Sequence, residues 1–333
     1  MGNFVKYATL ASVALLAACS GNQLTNVAPS SSGATDAATQ VRTLGTAGVA
    51  KPRAHGGWIL PDKKHKKGVV YVSDIDTNAV EIYPAKGANP APIGEITDGI
   101  NTPDGLGVDA KGNLYVPNAG ASNVTVYKPG TTSPFMSYSP GPNPVFVVIG
   151  KDGTVYIAQG IVGCICVTVY GPQSTTPEYT IQLDNTGGSP IGMTLDKKNN
   201  LYIALTNATV YEFAPGQTTG TNLGLSGLHN PRGLAFDNKG DLLVADDPLS
   251  FTTGFVDIYP PGKTSFSKQI TVGPQPFEIA FGRHDALLYV ANVSYGNTGD
   301  VEILSAHKGY TQVNELMQSL EQPIGVALSP GAP

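Results

Sequence analysis

The chain predicts an all-β fold in which four-stranded blades form a closed ring of six. An apolar strand opening on proline recurs at Pro103, Pro144, Pro190, Pro231, Pro276 and Pro323, at spacings of 41, 46, 41, 45 and 47 residues. That period is the one at which blade-like arrays repeat. Each complete opening is followed by a tight turn and further short apolar strands. The first unit lacks its opening strand, and the last consists of an opening strand alone.

Composition agrees with many short strands. Of 333 residues, 40 are glycine and 26 proline, 41% are hydrophobic and only 14% charged. Such a mixture suits strands joined by tight turns and leaves ample apolar material for a core. The net charge of −5 provides no basic field of the kind that holds nucleic acid, so that partner class is excluded.

Taken in order, the chain begins with an address. Residues 1–18 carry Lys6 and then an apolar run from Tyr7 to Ala18, the layout of an export signal and too short to span a bilayer. Leu16-Ala17-Ala18-Cys19 resembles the bacterial lipobox. The resemblance implies acylation of Cys19 (palmitate among the acyl chains), a membrane anchor, and, with Ser20 rather than Asp next in line, delivery to the outer membrane. Each buried methylene of such an anchor contributes roughly 0.8 kcal/mol. Residues 19–56 are dominated by small and polar residues and read as the lipidated Cys and a flexible tether, spanning on the order of 35 Å. The ring then occupies residues 57–333. Lys63-Lys64-His65-Lys66-Lys67 reads either as a solvated loop or as a contact to anionic headgroups.

The unit openings are PDGLGVD (103), PVFVVIG (144), PIGMTLD (190), PRGLAFD (231), PFEIAFG (276) and PIGVALS (323). Their fifth residue is mostly small and its neighbours are large, as expected of an innermost strand wedged between adjacent blades. The turns AKGN, KDGT, KKNN and NKGD follow. Their third residue, Gly or Asn, supplies the positive φ of a tight hairpin. Return strands begin at Leu114, Val155, Leu201, Leu242 and Leu288, and third strands at Val124, Val167, Val210, Val256 and Val301. A less regular fourth strand, such as residues 179–183, completes each unit. In the first unit only strands at 69–72 and 80–83 are legible, so the C-terminal strand 323–328 is expected to join it and close the ring. Closure removes exposed sheet edges. A WD-type propeller is disfavoured, because the one tryptophan, Trp58, lies outside every repeat.

The pattern P-x-G, an apolar run ending in Asp, a glycine turn, LYV and then V-x-V resembles the NHL repeat over residues 69–330. It is similar to the wider six-bladed β-propeller family that includes regucalcin and the SMP-30/gluconolactonase-like proteins. Such a resemblance specifies a fold far better than an activity. It implies that Asp104 would inherit the role of a divalent-metal ligand in a lactonase. The positions corresponding to the family's remaining ligands hold Ile324, Val145, Ile191 and Arg232, whereas a cation such as Ca²⁺ takes six or more oxygens.

Two rings of residues are expected at the face where inner strands begin and second strands end. The first holds Asp104, Val145, Ile191, Arg232, Phe277 and Ile324; the second holds Asp74, Asn118, Gln159, Leu205, Asp246 and Asn292. From these the candidate binding surface is Asp104, Arg232, Phe277, Asn118, Asp246 and Asn292, with the irregular loops at 159–166 and 247–254. The competing reading of the second ring is that its Asp and Asn side chains cap backbone N–H groups of loops. Cys164 and Cys166 allow either a bridge or two free thiols. The five histidines show no ligand spacing, and no metal site or catalytic elbow is legible.

The reading that results is a monomeric, lipid-anchored binding module of the bacterial cell envelope, its partner an unknown small molecule or envelope protein, with no cofactor. One alternative is a metal-dependent lactonase or hydrolase using a divalent cation such as Ca²⁺. Another is a structural envelope protein whose channel is plugged by Phe277 and an Asp104–Arg232 pair.

Overall fold

The computed structural model describes residues 68–160, 164–250, 252–294 and 298–333. Residues 1–18, read above as an export segment, Cys19, the stretch to residue 56 read as a tether, and Lys63 to Lys67 lie outside them. Among the described residues twenty-four strands form six antiparallel sheets of four.

In the first sheet the order is β24 (Pro323–Leu328), β1 (Val69–Asp74), β2 (Ala79–Pro84) and β3 (Gly94–Ile96). The C-terminal strand thus supplies the inner strand of the first blade, in a register that runs from Val70 opposite Leu328 to Asp74 opposite Pro323. The second blade is β4 (Gly107–Val108), β5 (Leu114–Asn118), β6 (Asn123–Tyr127) and β7 (Met136–Tyr138). The third is β8 (Pro144–Ile149), β9 (Val155–Gln159), β10 (Cys166–Tyr170) and β11 (Pro177–Gln182). The fourth is β12 (Pro190–Leu195), β13 (Leu201–Leu205), β14 (Thr209–Phe213) and β15 (Thr221–Asn222). The fifth is β16 (Pro231–Phe236), β17 (Leu242–Asp246), β18 (Gly254–Tyr259) and β19 (Lys268–Val272). The sixth is β20 (Pro276–Phe281), β21 (Leu287–Asn292), β22 (Asp300–Ser305) and β23 (Thr311–Leu316). Inner strands touch in the cyclic order β24, β4, β8, β12, β16, β20 and back to β24.

The hairpin turns take the predicted form. Gly112, Gly153 and Gly240 have φ of 84°, 92° and 88°, and Asn199 stands in for glycine at 63°. The glycine of P-x-G has a different duty. A Cβ on Gly192 would lie 1.9 Å from the Arg232 carbonyl oxygen, and one on Gly325 would lie 2.4 Å from Ser73 Oγ and 2.7 Å from the Asp104 carbonyl. The missing side chain is what lets inner strands converge around the axis.

The core is the set of layers between blades. Tyr115, Tyr138, Tyr170, Val147 and Ile157 pack between the second and third blades, and Leu243, Val256, Ile279, Leu288 and Val290 between the fifth and sixth. Complete burial of one such side chain stabilises by about 1.5–3 kcal/mol. The tyrosine that ends the third strand in VEIY, VTVY and VDIY adds a directional contact. Tyr127 Oη donates to the Asp98 carbonyl at 2.6 Å, Tyr259 Oη to that of Ser226 at 2.9 Å, and Tyr83 Oη to that of Gln318. Each of these phenols ties a third strand to the segment that enters its own blade.

Two elements are short, the first of them shorter than its sequence predicts. In the second blade only Gly107–Val108 pairs as an inner strand, with an isolated bridge from Pro103 to Asn118. Between them the backbone turns to other partners: Gly105 N–H donates to the Val145 carbonyl at 2.9 Å, and Leu106 N–H to Glu278 at 3.0 Å. In the fourth blade the outer strand is only Thr221–Asn222.

Candidate functional site

The first ring of residues lies at the proline ends of the inner strands, where those strands converge around the axis. Arg232 follows Pro231 at the start of β16. Its Nη2 lies 3.2 Å from Asp247 Oδ2, and its guanidinium carbon stands 3.9 Å from the centroid of the Phe277 ring. Asp247 is itself fully buried and held in place, its Oδ1 accepting Leu249 N–H at 2.8 Å. Phe277 is buried against Val293 and Ile324. The guanidinium is therefore clamped on two sides, by charge and by a ring face. Its Nε–H has no partner among the described residues, although its side chain is only 13% exposed.

Asp104 stands at the same end of the inner strands, within reach of the Arg232 charge. Burial pushes its carboxyl up to about 7, against the opposing effects of Gly105 N–H, which donates to Oδ1 at 2.9 Å, and of the Arg232 guanidinium. Asp104 and Arg232 form no ion pair; Arg232 pairs with Asp247 instead. The plug expected of a purely structural protein is thus not built as the sequence suggested, because a second carboxylate, next to Asp246, reaches the guanidinium first.

Glu278 was absent from the sequence-based site. It occupies the glycine position of P-x-G in the sixth blade, and that substitution is the signal that marks it. Its Oε2 accepts Leu106 N–H at 3.0 Å and Val326 N–H at 2.7 Å, joining the sixth blade to the second and the first. Burial, reinforced by the neighbouring Asp104 charge, raises this carboxyl well above the ordinary glutamate range. Ser73 completes the seam: its Oγ accepts Gly325 N–H and donates to the Asp104 carbonyl, both at 2.8 Å.

The second ring lies inside the blades. Asn118, Asp246 and Asn292 are at most 1% exposed, so the structure does not present them on an open face as the sequence reading expected. Asp246 accepts His229 N–H and Asn230 N–H, at 2.9 and 2.8 Å to Oδ1, and its Oδ2 lies 2.7 Å from His229 Nδ1. Asp74 accepts the N–H groups of Asp76, Thr77, Glu321 and Gln322. Asn118 accepts Asn101 N–H at 3.0 Å and donates to the Val116 carbonyl, and Asn292 donates to Asp300. Asp74, Asn118 and Asp246, each at the end of a second strand, thus anchor the loop that enters the inner strand of their own blade, since buried backbone donors there need acceptors. Cys164 and Cys166, beside the loop that follows Gln159, are joined as a disulfide with Cα atoms 5.3 Å apart.

The donor set does not fit a divalent cation. Val145, Ile191 and Ile324 contribute no side-chain oxygen, and Oε2 of Glu278 is committed to two backbone donors. No group of three metal-ligating acidic, His or Cys side chains occurs among the described residues. What the site holds is a guanidinium fixed by Asp247 and Phe277, with its buried Nε–H unpartnered among the described residues, and beside it a carboxyl raised by burial. Such a set suits a ligand carrying both charges.

No protein-family model matches the sequence, and no curated protein matches it. Solved structures do. A protein of unknown function from Bacteroides caccae matches with a TM-score of 0.61 at 13% identity, covering 79% of this chain and 99% of that one. A nidogen/laminin complex matches with a TM-score of 0.62 at 14% identity, again over 79% and 99%. Hydrazine synthase of Kuenenia stuttgartiensis matches with 0.54 at 17% identity, over 79% and 87%. At these identities the likeness is one of fold.

Proposed function

We propose that this chain is a binding module of the bacterial cell envelope, related to NHL-repeat and gluconolactonase-like propellers, that captures a small zwitterionic or peptide-like ligand at its channel mouth. The observation that carries this is Arg232, clamped between Asp247 and Phe277, whose buried Nε–H has no partner among the described residues. In this reading the guanidinium takes the ligand carboxylate, and Asp104 takes its ammonium group. A guanidinium already held in place loses little freedom on binding. Acylation at Cys19 anchors the module, and Ser20 directs it to the outer membrane.

Thermal melting of the full chain with a panel of amino acids and dipeptides tests the ligand class. A ligand-dependent rise is expected in the wild type, and it should vanish in Arg232→Ala and shrink in Asp104→Ala. Capture that survives both changes refutes the reading. The lactonase alternative predicts bound metal and a melting temperature that falls with chelator; our reading expects neither. Metabolic labelling with a palmitate analogue, lost in Cys19→Ala, tests the anchor.

A further inference from the structure

A second concavity lies at the far ends of the same strands, away from the channel mouth. Between the fourth and fifth blades a cleft of about 460 Å³ opens beside the β12–β13, β16–β17 and β18–β19 turns. That volume falls in the range of small-molecule sites.

Its origin is the short β15. After Leu223, whose N–H still donates to the Val210 carbonyl at 2.9 Å, the chain leaves the sheet, with Gly224 and Gly227 at φ of 63° and 87°, and Leu223 and Leu225 line the cleft wall. The departing loop is pinned to the next blade. Ser226 N–H donates to the Thr264 carbonyl at 2.7 Å, and Tyr259 Oη donates to the Ser226 carbonyl at 2.9 Å. Both blades therefore hold the wall in place before any ligand arrives. Phe236 and Tyr202, edge to face at 4.7 Å, line the cleft with Leu242, and Leu223, Leu225, Tyr202 and Phe236 are only partly buried by the chain's own packing.

The charges at the rim are not equivalent. Asp196 accepts Lys198 N–H, Asn200 N–H and Asn200 Nδ2; Asp237 accepts Lys239 N–H and Asp241 N–H; Glu212 accepts Asn200 Nδ2 and lies against the Tyr202 hydroxyl. Lys197 donates to the Asn238 carbonyl. The acids thus serve their own turns. The ammonium groups of Lys198 and Lys263 take part in no hydrogen bond or ion pair with the described residues, and both residues are exposed at the rim.

We propose that this cleft is a binding site for a small organic carboxylate with an aryl or alkyl body. The body lies against Leu223, Leu225 and Phe236, and the carboxylate sits between the ammonium groups of Lys198 and Lys263. Apolar contact supplies the affinity, and the two cations select the anion. The site is separate from the channel mouth.

The test uses the full chain, with 4-phenylbutyrate and its neutral amide as probes, read by calorimetry or ligand-observed NMR. Saturable binding of the carboxylate below millimolar concentration is expected, with the amide at least tenfold weaker. The double variant Lys198→Glu/Lys263→Glu should lose tenfold or more for the carboxylate and leave the amide unchanged. Leu225→Asp should abolish binding of both, and Arg232→Ala should leave both unchanged. Because the two lysines are exposed, their variant remains informative even if Leu225→Asp does not fold. Absence of saturable binding at millimolar probe overturns the proposal, as does an unchanged double variant or an amide that binds as tightly as the acid.

Discussion

Replacing Glu278 isolates the interaction that ties three blades across the axis. In Glu278→Ala the Leu106 and Val326 N–H groups lose the acceptor they share. An orphaned buried donor costs about 1–3 kcal/mol, so two would cost about 2–6. The loss is reduced because a half-buried position admits water and because the variant no longer buries an acid. About 2–4 kcal/mol is the expected net cost, or roughly 5–10 °C in melting temperature for a domain of this size. Glu278→Gln behaves differently. Its amide oxygen can accept both N–H groups without a proton. The folded carboxyl titrates above its unfolded value. Its contribution is therefore complete below about pH 4.5 and is lost as pH rises through the folded pKa. The Gln variant should lie within about 1 kcal/mol of wild type at pH 5 and become the more stable of the two by pH 8. Denaturant melts of the three proteins at both pH values measure this. An Ala variant as stable as wild type, or a Gln variant equally destabilised at both pH values, would refute the reasoning.

Other consequences follow from the same geometry. Gly192→Ala places a methyl 1.9 Å from the Arg232 carbonyl and should destabilise by about 3 kcal/mol or more, measured by urea unfolding. Ending the chain at residue 322 removes β24 and exposes β1 as an edge; light scattering should show aggregation rather than a folded monomer. Asp104 and Glu302, each pushed up to about 7, and Asp257, pushed up to about 6, are all raised mainly by burial. The native state therefore binds more protons than the unfolded one between about pH 4 and 7, and stability should fall across that window; refolding near pH 6 in weak buffer should take up protons, and release would contradict it. Under the proposed function Asp104 must ionise to hold an ammonium group, so dipeptide affinity should rise by up to about tenfold per unit as pH approaches 7, as followed by calorimetry.

The architecture was legible because each blade repeats the same local chemistry. The opening prolines, the turn glycines and the apolar third strands recur at one period, so their spacing specified six blades and the C-terminal closure. The site was less legible, because it is made by departures from the repeat. Glu278 matters because it stands where its neighbours have glycine and reaches two other blades, a proximity that only the closed ring creates. Asp247 pairs with Arg232 across a strand end, which took the nearer acid, not Asp104, to the guanidinium. Asn118 and Asp246 have the same residue types whether they face a ligand or cap a loop; burial and their N–H partners decide for the loop. The cleft beside Leu225 depends on how early β15 stops, and strand length is poorly encoded where Gly and Ser interrupt an apolar run.

The measurement that bears most directly on the account is the Nε–H resonance of Arg232 in a ¹⁵N-labelled full chain, assigned by its disappearance in Arg232→Lys. Titration with dipeptides should shift this resonance saturably, in step with the rise in melting temperature, while the resonances around Leu225 and Phe236 stay in place. A dipeptide that stabilises the protein without moving it, or a panel that leaves it unmoved throughout, would contradict recognition at the channel mouth.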